Sequence, residues 1–279
     1  MKKYFDKNNN RLIFTGKVAS DEFWDEHWKK ENNKKAKSEN LGNVLVPIGK
    51  LVFGEGLVLS TTKKHLPLGA KILEGGCGLG ANVLALHRAG YNVVGVDYAE
   101  KTVRYLNKTY PDLDIQIGDV RKLPFPDNEF NGYWSLGVIE HFWEGYDEIA
   151  IEMSRVVGKG DYVFLTFPSM SWLRRLKTYF NFYEEWNGSS IFPSELDFYQ
   201  FALDPKRVIQ SFVDMGFSLI SKKQISGIKG FKDEVLLVKP ALQKLYDSKS
   251  KISLVMKKLL EPVLGFWAGH MTLFVLEKK

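Results

Sequence analysis

The chain has 279 residues, of which 44% are hydrophobic and 26% are charged, proportions that are ordinary for a soluble globular protein. That length allows one sizeable core with additions, and the formal net charge of +6 is compatible with a nucleic-acid or anionic-membrane partner. A single cysteine, Cys77, excludes an internal disulfide, and five scattered histidines without ligand spacing argue against a metal site.

The N-terminus and the apolar segments indicate a cytoplasmic protein. Residues 1–10 contain no apolar core of the kind that a signal peptide needs. The best C-terminal candidate for a membrane span is interrupted by two lysines, a glutamate and a proline between residues 257 and 262. The lysine-rich run at 29–37 lies among Asn and Glu, so we interpret it as a solvated face and expect no nucleic-acid partner.

Residues 1–40 form a polar, Asn- and Lys-rich N-terminal extension. Ser20 or Asp21 can cap a short helix on which Trp24 and Trp28 share one face. Two tryptophans outside a core need a surface to cover. Two interpretations stay open: a helix packed on the domain surface, or a lid over a ligand-binding mouth.

The domain proper is predicted to run from residue 41 to 279. Residues 41–65 suggest one or two helices, and a turn at 67–69 precedes the first strand. Ile72 and Leu73 form a short apolar strand that leads into Glu74 and a loop with glycines at 75, 76, 78 and 80. Apolar residues between 81 and 89 then suit a helix with one buried face. Strand, glycine loop and helix are the opening of a doubly wound nucleotide-binding sheet.

The glycines fit both a dinucleotide-binding pattern and other nucleotide loops, and Glu74 helps to decide between them. A pyrophosphate prefers helix amides with no carboxylate nearby. A carboxylate two residues before Gly76 instead favours a cationic ligand that carries an adenosine and a free amino group.

The next hundred residues alternate short Val- and Ile-rich strands with amphipathic helices, which predicts a mostly parallel sheet. Strands are expected at 93–96, 115–118, 130–135 and 162–167, with helices at 99–110 and 146–157. After the fifth strand, residues 169–202 form an insert crowded with aromatic side chains. A helix from Asp204-Pro205 to about 215, a strand from Phe217, a helical stretch at 240–264 and a last strand at 270–276 complete the chain.

Several motifs in this order resemble the Rossmann-like (class I) S-adenosylmethionine-dependent methyltransferases. They are Glu74-Gly-Gly-Cys-Gly-Leu-Gly80, the acids Asp97 and Asp119 after the second and third strands, and the segments 130–141 and 155–167. The resemblance covers roughly residues 70–170 and is closest to small-molecule methyltransferases, such as those of quinone biosynthesis. Gly158-Lys-Gly160 departs from the Pro-Gly-Gly that relatives often show. The resemblance implies a doubly wound, seven-stranded α/β sheet with S-adenosylmethionine as the cofactor.

The resemblance also implies roles for individual residues. Asp97, followed by Tyr98, is expected to accept the ribose hydroxyls, and Asp119 the adenine amino group, while Val120 donates its backbone N–H. Glu74 orients the loop or the methionine end. The remaining expected cofactor contacts come from the glycine loop and from the end of the fourth strand: Gly75, Gly76, Cys77, Gly78, Ser135 and Leu136.

Glu140 and His141 are the nearby acid–base candidates. A histidine near neutral pH can remove a proton from an oxygen or nitrogen acceptor. In relatives, a Glu-His pair at this point often serves structure or cofactor positioning, so both roles stay open. Ser135-Leu-Gly137 stands where enzymes that methylate DNA bases show Asp-Pro-Pro-Tyr, which argues against a nucleic-acid base as substrate.

The aromatic insert has three interpretations. It can wall a dry pocket for the acceptor, or it can be a hydrophobic cluster that completes the fold. It can also use Trp172 with Arg174, Arg175 and Lys177 as a membrane-surface helix over 172–180. We expect a methyltransferase that acts on a small, partly apolar molecule. The alternatives are an NAD(P)-dependent oxidoreductase and an S-adenosylmethionine-binding protein without catalysis; the acceptor, the methylated atom and the oligomeric state stay undetermined.

Overall fold

The structure, a computed structural model, describes residues 2–16, 19–38, 54–186, 198–248 and 250–279. Up to the middle of the chain its elements are β1 (Lys3–Asp6), β2 (Arg11–Thr15), α1 (Asp21–Ser38), α2 (Gly54–His65), β3 (Lys71–Gly75), α3 (Ala81–Arg88), β4 (Asn92–Asp97), α4 (Glu100–Thr109), β5 (Asp114–Ile117), β6 (Phe130–Leu136), a 3₁₀ turn (Ile139–His141) and α5 (Asp147–Val156). Then follow β7 (Val157–Pro168), α6 (Trp172–Tyr179), β8 (Glu184–Glu185), β9 (Phe198–Ala202), α7 (Pro205–Asp214), β10 (Phe217–Ile225), α8 (Gly227–Glu234), α9 (Lys239–Asp247), α10 (Lys251–Ala268) and β11 (Met271–Lys278).

The main sheet has seven strands in the order β10-β11-β7-β6-β3-β4-β5. The five strands from β7 to β5 are parallel, and β11 runs antiparallel to both of its neighbours. This mostly parallel, doubly wound α/β sheet confirms the fold class predicted from the sequence.

Helices cover both faces of the main sheet because neighbouring strand residues point to opposite sides. Ile72 packs in the same cluster as Val83 of α3 and Val103 of α4, and the next residue, Leu73, packs in the cluster of Met153 of α5. Both strand residues have no exposed surface. A parallel strand that is buried on both faces reads as a continuous apolar run, which is why β3 was visible in the sequence.

The strand order reverses between β3 and β6, and this point is where a doubly wound sheet opens a crevice at its carboxyl edge. From β3 the chain proceeds to β4 and β5 on one side, and from β6 to β7 on the other. Met271, the first residue of β11, pairs with Pro168, the last residue of β7. The start of β11 therefore reaches the same edge as the ends of the parallel strands.

A second, four-stranded sheet in the order β8-β1-β2-β9 joins the N-terminus to the insert. The extension therefore contains a hairpin as well as the expected helix, and Leu12 and Ile13 of the hairpin have no exposed surface. The hairpin was not predicted because its strands are short and lie in a polar stretch. Ser20 caps α1 as expected, since its Oγ accepts a hydrogen bond from Phe23 N at 3.2 Å.

The C-terminal helices differ from the prediction in number. The stretch at 240–264 is two helices, α9 and α10, and Ser250 Oγ caps the second by accepting from Ser253 N. Helix α8 was not predicted. Residues 41–53 of the expected first helices and residues 187–197 of the insert, including Phe192, lie outside the described residues.

Candidate active site

A cavity of about 650 Å³ opens at the carboxyl edge of the main sheet. The loop after β3 and the ends of β4 and β6 form one side of it, and α1, the insert and the start of β11 form the other. The site residues predicted from the sequence that line this cavity are Glu74, Gly76, Cys77, Gly78, Asp97, Tyr98, Asp119, Val120, Leu136, Glu140 and His141. The cavity thus brings together residues from four strand ends, as a doubly wound sheet requires.

The glycine loop turns back on the neighbouring strand. The backbone N–H groups of Gly76 and Cys77 both donate to the carbonyl of Val96, at 2.8 and 3.0 Å. Gly76 and Gly78 have φ values of +74° and +50°, which L side chains rarely adopt. The Cys77 thiol is buried, and burial raises its pKa well above the usual value. Cys77 is therefore a small packing residue and not a nucleophile.

Asp97 holds the glycine loop from the end of β4. Its Oδ2 accepts a hydrogen bond from Gly78 N at 2.7 Å, and its Oδ1 accepts one from Ala99 N at 2.9 Å. Burial raises the pKa of Asp97 above its usual value, although these two hydrogen bonds act in the opposite direction and lower the pKa. Each carboxylate oxygen accepts more than one hydrogen bond, so Asp97 can still receive paired hydroxyls from the cavity.

Glu74 is a buried carboxyl group with one unused oxygen. Its Oε1 accepts a hydrogen bond from Asn82 Nδ2 at 2.9 Å, whereas Oε2 has no partner among the described residues. Burial raises the pKa of Glu74 to about 8. From the sequence, we expected a permanent negative charge at Glu74. The structure instead gives a carboxyl group that is protonated at neutral pH and that ionises when a cation or a strong donor comes close.

Asp119 lies at the rim of the cavity and already has a partner. Its Oδ2 accepts from Arg121 Nη2 at 2.6 Å, and its Oδ1 accepts from Arg121 N at 2.8 Å. Burial alone would raise the pKa of Asp119, but the hydrogen bonds from Arg121 outweigh it and hold the pKa below the usual value. Asp119 is therefore an ionised carboxylate that can accept a hydrogen bond from an amino group.

Three other predicted residues differ in their relation to the cavity. Tyr98 lines it and donates its hydroxyl hydrogen to the carbonyl of Ala19 at 2.9 Å, which joins the end of β4 to the segment before α1. Gly75 and Ser135 do not line it. A β-carbon on Gly75 would collide with the Tyr133 hydroxyl, and Ser135 is 1% exposed within β6.

Glu140 and His141 follow β6; Glu140 is buried, and the His141 side chain is 10% exposed. His141 Nδ1 lies 2.7 Å from the carbonyl of Tyr199, and since a carbonyl only accepts, Nδ1 carries the hydrogen. His141 Nε2 therefore presents a lone pair, 3.9 Å from Glu140 Oε1. Burial lowers the pKa of His141 to about 4 and raises the pKa of Glu140 to about 8. Both side chains are neutral at pH 7, and His141 is a weak base.

Aromatic side chains form the outer wall of the cavity. Trp24 stacks on Trp28 with ring centroids 5.6 Å apart, and the His141 ring meets Trp24 edge-on at 5.0 Å. Phe142 and Trp143 contribute from the segment after β6, and Phe198 and Tyr199 from β9. These rings enclose a space suited to a partly apolar molecule.

The first part of the insert does not wall the cavity. Trp172, Tyr179 and Phe182 are 62%, 80% and 70% exposed. Arg174 is turned inward instead: it is 1% exposed, and its Nε donates to Glu234 Oε1 at 3.0 Å. This buried ion pair orients α6 and leaves the aromatic side of the helix in solvent. The prediction that Arg174 faces a membrane is therefore wrong.

Several residues of the cavity were not predicted from the sequence. Among them, Asn82 comes from the first turn of α3, Trp143 from the segment before α5, and Lys229 and His270 from α8 and the residue before β11. Single polar residues in helices and turns carry no pattern that separates them from surface residues. Their proximity to the strand ends arises only from the tertiary packing.

Comparison with known proteins supports the methyltransferase resemblance. Residues 73–165 match the family described as "Methyltransferase domain". A protein of Mycolicibacterium smegmatis described as a probable S-adenosylmethionine-dependent methyltransferase is 32% identical over 105 residues, which are 38% of this chain and 40% of that protein. The demethylmenaquinone methyltransferase of Lysinibacillus sphaericus is 30% identical over 130 residues, 44% of this chain and 55% of that protein. The chain thus matches about half, or less, of each relative's length.

Solved structures share the fold across most of the chain. A TehB-like S-adenosylmethionine-dependent methyltransferase from Corynebacterium glutamicum has a TM-score of 0.53 at 15% identity and covers 91% of this chain and 99% of its own. The cyclase SpnF has a TM-score of 0.56 at 15% identity, with 95% of this chain and 98% of its own covered. Identities this low establish the fold alone.

Proposed function

We propose that this chain, which carries a Rossmann-like (class I) S-adenosylmethionine-dependent methyltransferase domain, transfers a methyl group from S-adenosylmethionine to a small, partly apolar acceptor. The observation that carries the proposal is the unused Oε2 of Glu74 beside the glycine loop. A buried carboxyl group with a free oxygen suits an ammonium or sulfonium ligand, whose charge favours the ionised carboxylate, whereas a pyrophosphate would oppose that ionisation.

The proposed cofactor contacts are side chains that line the cavity. Asp97 accepts the ribose hydroxyls, Asp119 accepts from the adenine amino group, and Glu74 receives the ammonium of the methionine part. Bound S-adenosylmethionine supplies an activated methyl group, so the protein has mainly to position the acceptor and exclude water. Leu136 and Cys77 give the cavity apolar contacts at the same edge.

The aromatic wall supports a small and partly apolar acceptor. The relative from Lysinibacillus sphaericus, named for a quinone-type acceptor, is consistent with this class. Glu140 and His141 contribute position and polarity, because His141 Nε2 can accept a hydrogen bond from the acceptor. We do not assign His141 the proton transfer, since a group with a pKa of about 4 is weakly basic at neutral pH.

Titration separates this proposal from its alternatives. S-adenosylhomocysteine and the two nicotinamide cofactors are titrated calorimetrically into the whole chain. We expect the protein to bind S-adenosylhomocysteine and neither nicotinamide cofactor. Binding of NAD or NADP alone would reverse the proposal in favour of an oxidoreductase. The cyclase SpnF shares the fold, so a non-methyltransferase role is tested separately. Absence of any labelled product when cell extracts are incubated with the protein and methyl-labelled S-adenosylmethionine would favour a binding protein.

Helix α1 serves as a lid over the cofactor end of the cavity in this proposal. Asp25 of α1 accepts hydrogen bonds from Thr102 N and Thr102 Oγ1, at 2.9 and 2.8 Å, which holds the helix against α4. Trp24 and Trp28 of the same helix line the cavity. The two contacts support a helix that is anchored on one side and covers the ligand on the other.

A peripheral membrane contact is proposed for the outer surface of α6 and α10, here called the α6–α10 face. The two helices pack together and leave large apolar side chains in solvent: Trp172, Leu176, Tyr179, Phe180, Ile252, Leu259, Val263 and Phe266. Exposed Lys251 and Lys258 accompany them. Aromatic and aliphatic side chains beside lysines suit an anionic bilayer surface. Among the described helices, none combines the length and apolar character needed to cross a bilayer.

Vesicle sedimentation tests this contact. The protein is expected to sediment with phosphatidylglycerol vesicles and less with phosphatidylcholine, and Phe266→Glu should abolish binding. Leu68→Glu is the matched control, because Leu68 is 70% exposed in the turn before β3. Equal binding of the two variants to vesicles would contradict the membrane assignment. It would also be contradicted if Phe266→Glu abolished a dimer of the wild-type protein and left vesicle binding unchanged.

A further inference from the structure

A second polar cluster lies at the end of the cavity away from Asp97. Lys229 of α8 and His270, the residue before β11, both line the cavity. Because Met271 of β11 pairs with Pro168 at the end of β7, this cluster is separated by β7 and β6 from β3, the strand that carries Glu74. Three strand spacings amount to roughly 14 Å, so the cluster and the proposed cofactor site lie at different ends of the same cavity.

The protonation of His270 follows from its partners. Arg174 Nη2 lies 3.0 Å from His270 Nδ1, and a guanidinium group only donates hydrogen bonds. Nδ1 must therefore present a lone pair, and the neutral ring carries its hydrogen on Nε2. Burial and the neighbouring cations Lys229 and Arg174 lower the pKa of His270 well below the usual value, which agrees with a neutral ring.

Arg174 cannot easily turn away from this arrangement. Its Nε donates to Glu234 Oε1 at 3.0 Å, and its Nη1 donates to the carbonyl of Ser169 at 2.8 Å. Lys3, Lys177 and Tyr183 donate to the same Glu234 carboxylate, at 2.8, 3.0 and 2.7 Å. The guanidinium orientation is thus determined by a buried network that starts from both sheets.

The state of Lys229 follows in turn. Its Nζ lies 2.8 Å from His270 Nε2, the atom that carries the ring hydrogen. An ammonium group has no lone pair to receive that hydrogen, whereas a neutral amine has one. Burial lowers the pKa of Lys229 to about 8; Asp233 at 3.3 Å favours the charged form, and Arg174 and Lys232 oppose it. The hydrogen-bond geometry and the burial of the side chain both favour the free amine, whereas Asp233 is the neighbour that most favours the ammonium.

We propose that Lys229 removes the proton from the acceptor's nucleophile, and that the acceptor is a phenol or an enol; this rests on the methyl transfer proposed above. The hydroxyl proton passes to Lys229 Nζ, which becomes an ammonium. The acceptor oxygen forms its bond to the methyl carbon, and the sulfur–methyl bond breaks with its electron pair left on sulfur. A positive sulfonium and a neutral amine thereby become a neutral thioether and an ammonium.

The acceptor class follows from matching acidities. Phenolic hydroxyls have pKa values near 10, within reach of a lysine amine whose pKa is lowered to about 8, whereas aliphatic alcohols are far weaker acids. The neighbouring His141 is less suited, because its pKa is lowered to about 4 and it is therefore a weaker base than Lys229.

Competitive acylation tests the free amine in the whole chain. The protein is treated with limiting acetic anhydride over pH 6–11, and acetylation of Lys229 is measured by mass spectrometry against the exposed lysines. Labelling of Lys229 should be half-maximal near pH 8, and labelling of exposed lysines should be half-maximal near their ordinary pKa of about 10.4. Asp233→Asn should move the Lys229 midpoint down, and His270→Ala should move it up. A Lys229 midpoint equal to that of exposed lysines overturns the proposal.

Turnover tests the role. Product ethers are measured with a panel of simple phenols of graded acidity and S-adenosylmethionine. Lys229→Met should lower kcat roughly a hundredfold or more while binding of S-adenosylhomocysteine is unchanged. Wild-type protein that binds the nucleoside but methylates no phenol overturns the acceptor class. Protein that does not bind the nucleoside at all contradicts the proposed function instead, whatever the Lys229 midpoint shows.

Discussion

The indole of Trp28 lies directly against the Cα of Gly78, so closely that a β-carbon at position 78 would come within 2.7 Å of Trp28 Cζ2. Helix α1 therefore touches the glycine loop at the point where the loop donates its hydrogen bond to Asp97. This contact links the N-terminal extension to the part of the cavity that we assign to the cofactor.

Substitution of Gly78 by alanine tests this contact. The new methyl group meets Trp28, and the φ of +50° adds backbone strain, so we expect a loss of about 1–3 kcal/mol in the free energy of unfolding. Gly69→Ala is the matched control, since Gly69 has a φ of +81° and a β-carbon there would meet no atom within 4 Å. Thermal unfolding of both variants gives the difference. Equal losses would mean that the Trp28 contact contributes nothing.

Replacement of Asp97 by asparagine should weaken binding of S-adenosylhomocysteine more than tenfold. The amide keeps the size of the side chain but replaces one acceptor oxygen by a donor, opposite the N–H of Gly78 or of Ala99. Asp112→Asn, at an exposed turn before β5, should bind normally. Calorimetric titration measures both, and unchanged affinity in Asp97→Asn would remove the ribose assignment.

The affinity for S-adenosylhomocysteine should depend on pH through Glu74. Its pKa is about 8 in the free protein, and a bound ammonium group favours the ionised carboxylate. Binding below pH 8 must therefore release a proton, and the dissociation constant should fall as pH rises from 6 to 8, by at most about tenfold per unit.

Two variants isolate the Glu74 effect. Glu74→Gln should flatten the pH profile, and Glu140→Gln, which changes another buried carboxyl group of the cavity, should retain it. Titration in two buffers of different ionisation enthalpy reports the released proton directly. A wild-type profile without slope between pH 6 and 8 would show that Glu74 does not face the ligand's charge.

Glu140 should make the free protein less stable as pH rises. Burial raises its pKa in the folded state to about 8, above the ordinary glutamate value, so folding favours the protonated form. This contribution is fully present below about pH 4.3 and is lost as pH rises through 8, by at most about 1.4 kcal/mol per unit.

The measurement is the melting temperature of the wild type minus that of Glu140→Gln, followed from pH 6.5 to 9. His141 has the opposite dependence: its pKa is lowered to about 4, so its contribution is present above pH 6.5 and is lost as pH falls through 4. The chosen range therefore excludes it. A difference that stays constant over this range would contradict burial of the Glu140 carboxyl group in an apolar site.

The sequence by itself determined the main sheet and most of the cofactor end of the cavity. Buried neighbours such as Ile72 and Leu73 reveal a strand that is covered on both faces, because side chains alternate along it. In a parallel sheet the residues after each strand meet at one edge. The positions of Glu74, Asp97 and Asp119 at the cavity therefore follow from strand order alone.

Only the tertiary structure decided the acceptor end and the protonation states. Lys229, His270 and Arg174 belong to segments up to 96 residues apart, and no local pattern records that they meet. The N-terminal hairpin pairs with β9 across the chain, and the buried pair of Arg174 with Glu234 turns the aromatic side of α6 outward. Periodicity reports which side of an element is apolar. Burial, which determines both the partners and the pKa values, depends on what the rest of the chain packs against it.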